Sequence, residues 1–102
     1  MAVTLQVLYP VGDDTTFDHA YYATTHMDLV DQHMGAHIAS VQASKGLAGG
    51  PDVPAPFHAI ATIIFSDQEA MDAAMQVAGP VMADIANFTN IQPQILIGEI
   101  YG

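Results

Sequence analysis

Along Val3 to Tyr9, the residues Val3, Leu5, Val7 and Tyr9 alternate with Thr4, Gln6 and Leu8. That is the period of a half-buried strand, and Pro10 and Gly12 end it. From Phe17 to Met34 the pattern changes to a helical one. Thr15 is the expected N-cap, Asp18 falls in the first turn where it suits the helix dipole, and Gly35 is the expected left-handed cap at the far end. "HIASVQASKGL" alternates Ala39, Val41 and Ala43 with Ser40, Gln42 and Ser44 and reads as a second strand. "GLAGGPDVPAP" holds three glycines and three prolines and reads as a loop. "FHAIATIIF" carries the strongest strand signal in the chain. A capping box of Ser66 and Glu69 opens a helix over "DQEAMDAAMQVA"; Gly79-Pro80 breaks it and starts a short helix through "VMADIAN". "QILIGEIYG" is the last strand. The order strand, helix, strand, strand, helix, strand predicts one α+β domain over residues 1–102. Its architecture is the ferredoxin-like βαββαβ fold with a four-stranded antiparallel sheet.

Both sides of the third and fourth strands are apolar: Ile60 and Ile64 oppose Ala61, Ile63 and Phe65, and Ile95 and Ile97 oppose Leu96 and Ile100. Two helices cover only one face of such a sheet. The expected cover for the other face is a second copy, giving a homodimer with its sheets packed face to face.

Charge and composition narrow the chemistry. With 11 acidic residues against the single base Lys45, the formal charge is −10, which disfavours nucleic acid and anionic membrane surfaces as partners. No apolar run approaches the ~20 residues of a membrane span, and "MAVTLQVLYP" lacks a basic start and a cleavage site. A cytoplasmic location is the expectation. There is no cysteine, which removes disulfides, thiolate catalysis and sulfur metal ligands. The glycines have no phosphate-loop spacing, so neither a nucleotide nor another cofactor, nor a metal, is expected. Histidine, carboxylate and tyrosine remain.

The first helix carries histidines at 19, 26 and 33. Stepping about 100° per residue from Phe17, they fall at about 200°, 180° and 160°, within the apolar stripe. Ala23, Met27, Val30 and Met34 lie on one flank of that line, and Tyr22 and Leu29 on the other. Neighbouring rings are about 10 Å apart along the axis, so one metal ion cannot hold all three. A buried imidazole there is expected to be neutral unless a carboxylate pairs with it. His19 and His33, near the helix ends, read first as structural groups. His26 lies mid-helix, where no backbone group is free to satisfy it, and its partner must come from the sheet, the second helix or a bound molecule. Tyr22, one turn earlier, could donate to a developing oxyanion or simply pack on the sheet. Asp84 and Asn87 could approach the same pocket from the short helix or serve only as turn contacts. His58 reads as exposed or interfacial, Met71, Met75 and Met82 as core or a compliant wall, and Lys45 as a solvated or intersubunit charge.

Several stretches together resemble one family: "YP" at Tyr9-Pro10, "FDHAYYATTHMDLV" at 17–30, "SKGLAGG" at 44–50, "DIANFTNIQP" at 84–93 and the closing "IGEI". They look like the EthD family, named for bacterial degradation of ethyl tert-butyl ether. The resemblance covers nearly the whole chain and implies a dimeric α+β barrel. It also implies that His26, the histidine of the "YYxxxH" motif, is the functional candidate. Asp28 departs from the family pattern, which commonly has proline there. Oxidoreductase is the label usually given to such proteins, and related barrels include cofactor-free monooxygenases, lactone isomerases and polyketide cyclases.

Two functions from different classes follow. One is a cofactor-free enzyme acting on a small hydrophobic or aromatic metabolite, with His26 as general base and Tyr22 as oxyanion donor, in a ligand pocket drawing on His19, Val30, Asp84 and Asn87. The other is a non-catalytic carrier of such a molecule for an oxygenase partner. A purely structural dimer is a third reading, and it binds no ligand.

Overall fold

In the computed structural model, which describes residues 1–101, Val3–Pro10 forms the first strand, β1. The helical segment follows in three parts: α1 (His19–Tyr21), one π-helical turn (Tyr22–His26) and α2 (Met27–Met34). A 3-10 turn (Gly35–His37) leads to β2 (Ser40–Lys45), and β3 (Phe57–Phe65) comes after the Gly/Pro-rich loop. The second half holds α3 (Gln68–Gln76), α4 (Gly79–Asp84), a 3-10 turn (Ile85–Asn87) and β4 (Gln94–Glu99). Gly102, the last residue of the expected final strand, lies outside the described residues. No helix among the described residues is long and apolar enough to cross a membrane.

The strands form one sheet in the order β2-β3-β1-β4, and every neighbouring pair is antiparallel. This is the ferredoxin-like α+β arrangement predicted from the alternating patterns. The register Leu5↔Ile63, Val7↔Ala61, Leu5↔Ile97 and Val7↔Ile95 aligns the inward residues of three strands on the face that the helices cover. Leu5, Ile63 and Phe65 pack there against Val30, Met34, Met71 and Val81. A second cluster, Tyr9, Tyr22, Ala59, Phe88 and Ile91, continues the core toward the opposite end.

Three local expectations are corrected. Thr15 does not cap the first helix; it closes its own turn, accepting from the Gly12 N–H at 3.0 Å and donating to the Gly12 carbonyl at 2.9 Å. The chain stays extended through Phe17, which bridges Thr89, so the helix begins only after Asp18, whose carboxylate accepts from the Tyr21 N–H. Asp67, not Ser66, caps α3, accepting from the Ala70 N–H at 2.8 Å. Gly35 keeps a right-handed conformation with φ −55°, because the chain runs on into the 3-10 turn and does not reverse there. Glycine is required instead at Gly46, just past β2, where a Cβ would stand 1.9 Å from the Phe57 carbonyl oxygen.

Candidate active site

The segment after α4 is stitched to the start of the first helix. The Asp18 N–H donates to the Phe88 carbonyl at 2.8 Å, Thr89 Oγ1 donates to the Thr16 carbonyl, and Asn90 takes a hydrogen bond from the Thr16 N–H and gives one to the Asp14 carbonyl. These bonds bring "DIAN" across the helix carrying His26. His26 Nδ1 lies 2.9 Å from Asp84 Oδ2, and both residues are buried, with 4% and 6% of their surface exposed.

Asp84 is held on its other oxygen as well. Oδ1 accepts from the Tyr21 hydroxyl at 2.7 Å and from the Asn87 amide at 2.9 Å. Burial works against the charged form of Asp84, but the hydrogen bonds from Asn87, Tyr21 and His26 outweigh it and hold the carboxyl below its ordinary range. An ionised carboxylate only accepts, so the shared proton sits on His26 Nδ1, and in the neutral ring it is Nε2 that carries the lone pair. No described residue bonds to Nε2, and no sealed polar side-chain atom lacks a partner. Nε2 therefore reaches open space.

His26 borders a cavity of about 140 Å³ between the helices and the sheet, with Tyr9, Tyr22, Met27, Val30 and Ala61 also in its wall. Met82, Ile95 and Ile97, all exposed, line it as well. A cavity of ~150 Å³ is large enough for a benzene-sized guest. The Tyr22 ring stacks beside the imidazole, with centroids 5.5 Å apart and planes 17° apart, and Phe88 closes the other side at 4.6 Å. Burial raises the Tyr22 hydroxyl to about 12 and pushes Tyr9 higher still, with the neighbouring Tyr22 adding to the effect.

Of the expected site residues, His26, Tyr22 and Val30 meet at this cavity. Asp84 and Asn87 are not in its wall; Asp84 bonds to His26, which is, and Asn87 bonds to Asp84. The structure does not bring His19 to the cavity. Its ring lies 4.7 Å from Phe17 and 6.3 Å from His58, beside a separate depression that Lys45 also borders. Burial, with the charges of Lys45 and His58, lowers the His19 pKa against the opposing pull of Asp18. His33 is only half-buried, so a single histidine of the three occupies the core. His58 is half-buried, lying parallel to the Phe17 ring. Two contributors escape a reading by periodicity: Tyr9, which looks like any inward strand residue, and Tyr21, which looks like the outward neighbour of Tyr22. The signal for Tyr9 is a lone hydroxyl among the aliphatic inward positions of β1. No cluster of three or more histidine, cysteine or acidic side chains capable of holding a metal occurs among the described residues.

The EthD domain model matches residues 12–92. An EthD-like protein of Ralstonia eutropha JMP134 is 36% identical, the alignment covering 99% of this chain and 93% of that one, with a TM-score of 0.89. An ethyl tert-butyl ether degradation (EthD) family protein of Bacillus halodurans C-125 is 21% identical, covering 99% and 100%, with a TM-score of 0.69. SnoaB, a cofactor-independent oxygenase of Streptomyces nogalater, shares the fold at 8% identity, covering 99% and 93%, with a TM-score of 0.62. No curated protein matches the chain.

Proposed function

The chain belongs to the EthD family, and from the geometry of its cavity we propose that it is a proton-transfer enzyme acting on a small, neutral, largely apolar ring compound. His26 is the general base. One observation carries this reading: the buried imidazole pairs through Nδ1 with Asp84, has no partner at Nε2 among the described residues, and borders a ring-sized, mostly apolar cavity.

The charge balance selects a neutral ligand. Lys45, the only lysine or arginine in the chain, does not border the cavity, and the carboxylate of Asp84 lies one imidazole ring away from it. An anion entering there would lose hydration and meet a negative charge. A neutral molecule avoids both costs. Charge arises only when a proton passes to Nε2, and the imidazolium then rests on Asp84 while the ligand carries the negative charge. An oxidative outcome follows where dioxygen meets that electron-rich anion. The likeness to a cofactor-independent oxygenase supports this at the level of fold.

Homodimerisation through the uncovered face of the sheet is part of the same reading. Leu8, Ile60, Ile64 and Leu96 surround the hydrogen bond from Gln6 to Thr62 on that face, and the cost of leaving so much apolar surface in water favours a second copy as its cover.

The test uses toluene and cyclohexanone as neutral probes. Saturable binding of toluene, with chemical-shift changes at Met27, Val30 and Ala61, is the expected result, and binding survives in His26→Gln. Proton exchange at the cyclohexanone α-carbon is expected to fall ~10²–10⁴-fold in that variant. Failure of both probes to bind the unmodified protein would remove the reading.

A further inference from the structure

The aromatic cluster around β1 and the π-helical turn contains Tyr9, Tyr22, Phe17 and Phe88, whose rings meet with centroids between 5.0 and 5.7 Å. Phenylalanine satisfies the packing at two of these positions. At Tyr9 and Tyr22 the side chain carries an oxygen that packing does not require. Both residues are at least nine-tenths buried, with 1% and 5% exposed, and neither hydroxyl has a hydrogen-bond partner among the described residues. Yet no unpartnered polar side-chain atom is sealed away, so each hydroxyl reaches open space. Tyr22 borders the ring-sized cavity and the depression next to it, whereas Tyr9 borders the cavity alone. A desolvated hydroxyl without an acceptor is costly, and one kept in an apolar wall calls for an acceptor that arrives with a ligand.

We propose that the hydroxyls of Tyr9 and Tyr22 form an oxyanion site in the cavity that His26 also borders, and that the ligand is a neutral ring compound bearing an enolisable carbonyl group. The inference rests on the reading of His26 as a base. The bond between hydrogen and the carbon next to the carbonyl breaks, and its proton goes to His26 Nε2. The electron pair left behind becomes a carbon–carbon double bond as the carbonyl pair moves onto oxygen, which accepts hydrogen bonds from the two phenols. Return of the proton from the imidazolium to the same carbon gives exchange, and return to a conjugated carbon gives an isomer. Neither needs a further reactant. Burial keeps both tyrosines protonated, and therefore donors, throughout the neutral range.

Paired probes test the assignment: toluene fills the cavity without an acceptor, and phenol presents an oxygen on a planar carbon as an enol does. Tyr9→Phe and Tyr22→Phe are each expected to weaken phenol ~10-fold and leave toluene unchanged, since phenylalanine keeps the ring and removes only the donor. The same variants are expected to slow deuterium exchange at the cyclohexanone α-carbon by a similar factor. A merely structural role for the hydroxyls would move both probes together. Equal losses for phenol and toluene, or no loss for phenol, would overturn the oxyanion assignment while toluene binding left the cavity reading intact. Absence of toluene binding in the unmodified protein would overturn both.

Discussion

Asp84 reaches His26 across 58 positions of sequence and sits 2.9 Å from its Nδ1. The approach depends on the stitched segment in which Phe17 bridges Thr89 and Asn90 bonds to residues 14 and 16. Asp84→Asn keeps the shape of the side chain but loses the negative charge that steadies an imidazolium. Turnover of an enolisable ketone is expected to fall about 10²-fold, with toluene affinity unchanged. Parallel assays of exchange rate and toluene binding check this, and equal loss of both would point to damage of the cavity instead.

The depressed carboxyl of Asp84 sets a pH window for stability. Its folded-state value lies below the unfolded one of ~3.9, so the native state favours the charged form. The resulting stabilisation is complete above that unfolded value and is lost as pH falls through the folded one. Below about pH 5, the stability difference between the protein and Asp84→Asn in urea unfolding should shrink as pH falls through the folded value of Asp84. Tyr21→Phe removes one donor to the carboxylate and should move that loss to higher pH. A difference that grows on acidification below about pH 5 would contradict the sign.

Filling the cavity should trade function for stability. Ala61 lies buried in its wall on β3, and Ala61→Leu adds three carbons to the empty space. The variant is expected to gain up to ~1 kcal/mol of stability and to lose toluene binding altogether. Thermal unfolding with and without toluene reads both effects, and a ligand-induced rise in Tm that persisted in the variant would locate the ligand elsewhere.

The uncovered sheet face should respond to charge. Leu96 is exposed on β4, and Leu96→Glu sets a carboxylate where the sheets would meet. Sedimentation is expected to show a dimer for the unmodified protein and a monomer for this variant. A monomeric unmodified protein would remove the dimer from the reading.

The strand patterns were open to a reading by period, because side chains on β1 and β3 alternate between a covered and an uncovered face; the order of elements and the sheet topology follow from them. The helix starts were less legible, since Thr15 and Ser66 are as good as caps locally as Asp18 and Asp67. At the first helix the choice was made by the long-range bridge from Phe17 to Thr89. The π-helical turn at Tyr22–His26 departs from the spacing of 100° per residue between His19 and His26, and of the three histidines that line up on paper only His26 is buried. His26 and Asp84 could each be singled out, but their pairing is a tertiary fact with no local signature. Tyr9 was hidden by its own strand period, which explains an inward ring and is silent about the hydroxyl.

The central claim concerns one proton and one lone pair on His26. Long-range nitrogen–proton correlation NMR on uniformly labelled protein at neutral pH reads both ring nitrogens directly. The predicted result is a neutral ring protonated at Nδ1, with an Nε2 resonance that shifts when phenol is added. A proton on Nε2, or a ring that ignores phenol and toluene alike, would contradict the assignment of His26 as the base.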